Sequence, residues 1–436
     1  MLDILKENKS SMKTEVIAGL ITFITMIYII PVNAHIMSAA QMPMEALICA
    51  TSLVSAIACI FCGLFSNTPI ALSVGMGMNA YFAFGVCVAQ NIPWQSALAA
   101  VFFSGLIFLI LSFTNFRTHI IKNIPKDLIL AICAGIGLFI AFIGLSQMKL
   151  IVKNENTILS LGNLSDSYVL IGLFTLLLLV FFYAIKLRTS FILAVLISSI
   201  ITWSFNINNY SLPQNIISLP NFSENGGLKE IFFKIDFFAI LELSMIPIIL
   251  TFFVTQLFDS IGTISGVGAR SGLFEGKKGE KKLEKALIAD AASSTFSSFF
   301  GTSTVTAFVE SSAGVESGAK TGLSSIVVGI CFLLSLFFLP LFEAIPKNAV
   351  YPVLVMVGFL MFCEVKNINF KNPAIAISSF FIIIMMPLTY SITTGFAFGF
   401  LTYVLMCFFT KQRLNLTLLL IALIALVVFV LQILKF

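Results

Sequence analysis

The sequence predicts an all-α polytopic membrane protein of about fourteen spans, built as a seven-plus-seven inverted repeat in which two spans are broken. Three observations lead there. The 436-residue chain is 59% hydrophobic and 10% charged, whereas a soluble domain carries about 25% charge; its mean hydropathy is +1.05. Apolar runs of ~17–25 residues, long enough to cross ~30 Å of hydrocarbon, recur along the whole length. A short motif at the mouth of one span returns half a chain later.

The predicted spans are 15–38, 45–65, 68–89, 94–114, 127–147, 167–185, 189–206, 238–266, 284–299, 303–316, 320–342, 348–363, 373–389 and 391–410. A further apolar run, 414–434, either crosses or lies at the interface. The first run starts near Glu15 and continues without a small-residue cleavage site, so it reads as a retained span and not a signal peptide. Placing the N-terminus in the cytoplasm and alternating puts 19 Lys and Arg on the cytoplasmic side. Only Lys149, Lys153, Lys229, Lys234 and Lys347 fall opposite, with Lys435 set aside. This bias supports the orientation in a cell (plasma or inner) membrane. The net charge of +5 is then a topology signal and not a nucleic-acid patch. Most of the eight cysteines sit inside apolar runs; Cys59 and Cys62 lack accompanying soft ligands and read as packing residues, so no metal or other cofactor is expected.

The repeat rests on Ile-Pro-Lys. "NIPKDLILAICAGIGLFIAF" begins at Asn123 and "AIPKNAVYPVLVMVGFLMF" at Ala344; the motifs lie 221 residues apart and open the fifth and twelfth spans. Seven spans per copy is odd, so the second copy is inverted, an arrangement found in transporters because exchanging the conformations of two similar halves gives alternating access. The third span, "NTPIALSVGMGMNAYFAFGV" from Asn67, and the tenth, "TVTAFVESSAGV" from Thr304, correspond. Each begins with β-branched and small residues and turns helical midway. Non-helical backbone at membrane depth survives only where protein or a wet cavity satisfies it. Broken spans at matching positions therefore mark a substrate site, with half-helix N-termini aimed at it.

Two carboxylates fall where water is hard to reach. Asp259 lies well inside the eighth span and Glu310 in the middle of the tenth. An ionised side chain at mid-bilayer costs ~2.5–3.5 kcal/mol on insertion scales, so a sequence keeps one where it faces a cavity, pairs, or takes up a proton. Capping of half-helices is the alternative role for both. Asp290 reads as structural. Asn79 offers a donor and an acceptor to a heteroaromatic edge and could also cap its own half-helix. Phe308 offers an aromatic face to a planar ligand, or ordinary packing.

At these residues the sequence resembles the nucleobase:cation symporter family, in its hypoxanthine/guanine/adenine permease branch. The resemblance covers nearly the whole chain and is carried jointly by "TEVIAGLITFITMIYIIPVNA", "GMGMNAYFA", "TQLFDSIGT", "GTSTVTAFVESSAGV" and "VLVMVGFLMF". It implies a uracil-permease-like fold with short strands before the half-helices of spans three and ten. It also implies a core domain (14–115 and 236–343), a gate domain (124–207 and 344–410) and a C-terminal apolar extension (411–436). The implied substrate site comprises Asn79, Asp259, Phe308, Glu310 and Ser311, with Asp259 and Glu310 carrying proton coupling. Thr263 stands where the uracil branch has a His, which suggests a proton route without His and a purine preference. The implied function is import of purine nucleobases by proton symport in a lipid-embedded homodimer, with sodium as the alternative ion and another nucleobase or small anion as the alternative substrate.

Other classes fit poorly. "SVGMG" resembles a potassium-type filter loop, but such a filter needs a ring of four loops with one pore helix per subunit, and this chain reads as pseudo-twofold. Only His35 and His119 exist, both near span ends and without HExxH, so an intramembrane enzyme is not expected. "GLFEGKKG" is one residue short of a phosphate-loop spacing, lacks the Ser/Thr after Lys, and reads as a solvated cytoplasmic loop.

Overall fold

The computed structural model describes residues 10–114, 124–224, 226–271, 273–274 and 276–412, with isolated positions between 418 and 426. The 414–434 run lies almost wholly outside the described residues. Among those described, nine helices are long and apolar enough to cross a membrane, and helix occupies part of every predicted interval.

The first interval is two helices, α1 (Met12–Met26) and α2 (Ile29–Ser38), separated at Ile27–Tyr28. Pro31 supplies the reason: it has no N–H to give the carbonyl of Ile27, four residues back, and its ring crowds that carbonyl. The Ile27 oxygen instead accepts from Ile30 N–H at 3.2 Å. Next come α3 (Met44–Ser66), strand β1 (Leu72–Val74) and α4 (Met76–Ala80), which runs on as π-helical turns over Tyr81–Val88; α5 is Trp94–Ser112. Helices α6 (Lys126–Gln147), α7 (Ser167–Ala184) and α8 (Ser190–Ser204) follow. A hairpin, β2 (Ile151–Asn154) and β3 (Ile158–Leu161), joins α6 to α7 and was not anticipated.

In the second half, α9 (Met245–Ser271) starts later than the predicted 238, after a 3-10 turn at Phe237–Leu241. Helix α10 (Gly276–Ser297) starts eight residues before the predicted 284 and takes in part of the stretch read as a loop. Its charged opening, "GKKGEKK", is invisible to hydropathy yet compatible with a helix in water. Strand β4 (Val305–Ala307) precedes the six-residue α11 (Ser311–Glu316). Then come α12 (Gly322–Ser335), α13 (Leu339–Glu343), α14 (Lys347–Phe362), α15 (Pro373–Leu388) and α16 (Ile392–Phe409).

The helices pack in two groups. One gathers α1, α3 and α12 with α5, α9 and α10; the other gathers α6, α14, α15 and α16 with α7 and α8. Glycines permit the closest crossings. In the first group, a Cβ on Gly63 of α3 would strike the carbonyl of Gly322, and one on Gly322 the backbone of Gly63. In the second, Gly137 of α6 and Gly358 of α14 each meet the other's carbonyl oxygen in the same way. Gly137 and Gly358 are 221 residues apart, the spacing of the two Ile-Pro-Lys motifs, and Pro125 and Pro346 of those motifs are the N-caps of α6 and α14.

Overpacking a tight crossing costs ~1–3 kcal/mol or more. Gly358→Leu should therefore lower the melting temperature of solubilised protein by several degrees and reduce its yield. Gly262→Ala, where no atom lies within 4 Å of the added Cβ, should leave melting unchanged or slightly raised, because Ala favours helix by ~0.5–1 kcal/mol.

Candidate substrate site

The site is assembled where the two broken segments meet. β1 and β4 pair antiparallel in the register Leu72↔Ala307, Ser73↔Thr306 and Val74↔Val305, all six residues buried. The ladder continues at both ends: Gly75 N–H donates to Thr304 O (2.9 Å) and Phe308 N–H to Ala71 O (3.1 Å). Three-residue strands suit "LSV" and "VTA" because β-branched side chains favour extended backbone and the short ladder satisfies main-chain groups with no water to do so.

Thr306 reaches sideways from β4 to Asp259, its hydroxyl donating to Oδ2 at 2.9 Å. Asp259 lies in the middle of α9, so it caps no helix end, and it is half-buried. Glu310 follows β4 by three residues and is also half-buried. It is the residue before α11 but makes no capping bond to that helix. Its Oε1 instead accepts from the Tyr28 hydroxyl at 2.6 Å. Among the described residues neither carboxylate has a Lys or Arg within ion-pair range; the ion pair nearest in sequence, Arg188–Glu316 at 3.0 Å, is half-exposed at the far end of α11.

The remaining predicted residues sit deeper. Asn79 is fully buried and donates to Asn33 Oδ1; Asn33 donates in turn to Thr51 (2.7 Å) and Thr302 (3.4 Å). The Asn79 side chain makes no capping bond, and its Oδ1 is buried without a partner. Phe308 is 5% exposed, so its ring packs within the protein in this conformation, while its neighbour Val309 is 56% exposed. Ser311 is fully buried and its Oγ accepts from Ala71 N–H at 3.0 Å, tying α11 to the strand preceding α4. Asp290, also fully buried, accepts from Ser260, the residue after Asp259.

Open space lies on one side of this junction. On α9, Asp259, Gly262, Thr263 and Gly266 follow at helical spacing and are half-buried or exposed; a Cβ on Gly262 or Gly266 would meet nothing within 4 Å. Two turns before Asp259 the same helix is closed. There Thr251 hydrogen-bonds Thr393 of α16, and Thr393 lies 3.2 Å from the Tyr81 hydroxyl, all three buried.

Tyr28 and Thr306, which bind the two carboxylates, were not predicted. Tyr28 carried one usable signal, Pro31 three residues on, which predicts a break in the first span. Thr306 carried none, because its role depends on a partner 47 residues earlier in sequence.

The arrangement is two carboxylates of different surroundings, each bound by one hydroxyl from another element, beside a buried donor–acceptor cluster. It offers hydrogen-bond acceptors to a polar ligand and two places to hold a proton.

Known proteins give this geometry a context. The SLC26A9 structure matches at a TM-score of 0.66 and 13% identity over 94% of this chain and 67% of that one. The transmembrane domain of a cyanobacterial bicarbonate transporter, BicA, matches at 0.60 and 14% over 95% and 96%. At such identities these likenesses speak for the fold alone. Sequence relatives span the chain more closely. The guanine/hypoxanthine permease PbuO of Bacillus subtilis is 38% identical, covering 92% of both chains. The adenine permease AdeP of Escherichia coli is 36% identical over 92% of this chain and 88% of its own. A putative permease of Methanocaldococcus jannaschii is 39% identical over 92% and 91%. The model of the permease family that includes xanthine and uracil permeases matches residues 13–398, and the chain is thus a multi-pass membrane protein belonging to that permease family.

Proposed function

We propose that this protein imports purine nucleobases by proton symport and alternating access. The observation that carries the reading is the pair of half-buried carboxylates, Asp259 and Glu310, held at one strand junction by neutral hydroxyl donors. The names of the relatives, adenine and guanine/hypoxanthine permeases, select the substrate class. Glu310 accepts N–H groups from the edge of the base; Asn79 and Ser311 shape the far side of the pocket, and Phe308 reaches the base's face once it turns out of its buried position. Asp259 carries the proton, taking it up on the side of higher proton activity so that the base enters without two uncompensated charges in the cavity. Loss of the proton on the other side weakens the hold on the base.

The architecture follows from the same reading. Fourteen spans form two inverted repeats, and the α6–α14 crossing at Gly137 and Gly358 suits a pseudo-twofold axis. The first helix group is the core domain (14–115 and 236–343) and the second the gate domain (124–207 and 344–410). With the N-terminus in the cytoplasm, the open stripe at Gly262 and Gly266 faces inward and the Tyr81–Thr393–Thr251 closure faces outward, so this conformation is inward-facing. Two chains associate through gate-domain helices in the cell membrane.

Radiolabelled hypoxanthine, guanine or adenine should accumulate saturably in cells expressing the chain, and nucleosides should compete poorly if Asn79 and Glu310 flank a pocket sized for the free base. Competition by adenosine equal to that of the free bases would contradict a compact pocket.

A charged hydrogen bond to a neutral donor is worth ~1.5–3 kcal/mol. Glu310→Gln should therefore weaken base affinity roughly ten- to hundredfold, with insertion in the membrane unchanged. Unaltered affinity would remove Glu310 from the site.

In vesicles, an inward proton gradient should drive accumulation and a protonophore should abolish it, with the membrane potential adding ~2.3 kcal/mol per charge per 100 mV. Asp259→Asn should lose accumulation and keep exchange. Accumulation that follows a sodium gradient and ignores the protonophore would replace the proton with sodium.

A further inference from the structure

The first span bends at Ile27–Tyr28, and the bend delivers Tyr28 to the centre of the protein. Its side chain is fully buried and makes two contacts of different kinds. The hydroxyl donates to Glu310 Oε1 at 2.6 Å. The ring stacks on Phe191 at 4.9 Å between centroids and 28° between planes. Phe191 belongs to α8, in the other helix group, so a single side chain touches both the candidate substrate carboxylate and the group that packs apart from it.

We propose that Tyr28 is a positioning residue of the substrate site: its hydroxyl presents the Glu310 carboxylate to the ligand, and its stack on Phe191 ties that presentation to the packing of α8 against the first span. The proposal rests on the nucleobase reading above. A glutamate side chain turns about three bonds; Glu310 makes no side-chain capping bond to α11, its carboxylate meets its own main-chain N–H, and the one bond that fixes it to another element is the one from Tyr28. With Oε1 taken by Tyr28, the carboxylate keeps acceptor sites for the edge of a base, and the loss of side-chain freedom has already occurred before the ligand arrives. The tyrosine is itself held by burial and by the stack. Stacked rings are attractive only at close approach, so a shift of α8 away from the first span loosens the ring and, through it, the carboxylate. Base affinity thereby changes with the relative position of the two helix groups, as alternating access requires.

The test is a set of four chains, wild type, Tyr28→Phe, Glu310→Gln and the double variant, compared for uptake of radiolabelled purine and for melting temperature. Tyr28→Phe keeps the ring and its stack and removes one oxygen atom. It should raise the KM for purine roughly tenfold, as expected for one lost hydrogen bond to a charged group, with maximal uptake rate within about twofold of wild type. On the Glu310→Gln background the same change should alter KM by less than about threefold, because the two act as one unit. Phe191→Leu should raise KM in the same direction as Tyr28→Phe while leaving the hydroxyl in place. Full purine affinity in Tyr28→Phe would overturn the proposal, and so would effects of Tyr28→Phe and Glu310→Gln that simply multiply. The melting temperatures separate this failure from failure of the substrate reading. Non-additive melting in the double variant, together with no purine uptake by wild type, would overturn the substrate reading and with it the positioning role, while the pairing itself stood.

Discussion

The rest of the structure depends on how a few residues of extended backbone are satisfied at membrane depth. Hydrocarbon offers no partner for an unpaired N–H or C=O, and each left unmet costs several kcal/mol. Leu72–Val74 and Val305–Ala307 solve this for one another, across 233 residues of chain, by an antiparallel ladder that Gly75, Ala71, Thr304 and Phe308 lengthen at its ends. Because the strands run antiparallel, the helices that follow them leave in opposite directions. Asp259 and Glu310 are gathered by this ladder: Asp259 through Thr306 within the strand, and Glu310 by its place just beyond it.

The two carboxylates differ in a way that suits different tasks. Asp259 is fixed to a rigid strand by a threonine hydroxyl, and its helix continues into open space at Gly262 and Gly266. Glu310 sits at a turn into a very short helix and leans on a tyrosine from a bent span. Hydroxyl donors stabilise a carboxylate less than a guanidinium or ammonium would, and they leave its charge uncompensated. Such groups remain able to take up a proton or a ligand donor, whereas a buried ion pair would be committed to its partner.

Glycine contacts explain how the helix groups stay internally tight. The Gly63–Gly322 and Gly137–Gly358 crossings bring backbones together within a group, where any side chain would hold them apart. Contacts between the groups include a ring stack at Tyr28 and Phe191, hydroxyl bonds at Thr393 and the half-exposed Arg188–Glu316 pair, beside helix packing of α9 on α6 and α16 and of α8 on α1.

By itself the sequence determined the membrane class, the approximate places of the helices, the two broken segments and the two carboxylates of interest, because each is written locally. A run of apolar residues, a cluster of β-branched and small ones, or an acid inside such a run has a cost that does not depend on distant partners. Pro31 is a local signal of the same sort, since a proline inside an apolar run breaks the helix about one turn before it, here at Ile27–Tyr28. Tertiary structure alone decided the rest. The hydroxyls that hold Asp259 and Glu310 come from Thr306 and Tyr28, 47 and 282 residues away in sequence. Residue type points to Asn79 and family resemblance to Ser311 as ligand contacts; the fold engages the Asn79 amide nitrogen with Asn33 and the Ser311 hydroxyl with Ala71 N–H, and leaves Asn79 Oδ1 without a protein partner. Hydrophobic pattern chose which segments enter the membrane, since it acts residue by residue. Hydrogen-bond satisfaction chose which of the polar residues meet, since each bond needs two groups brought to within about 3 Å, and only the assembled chain does that.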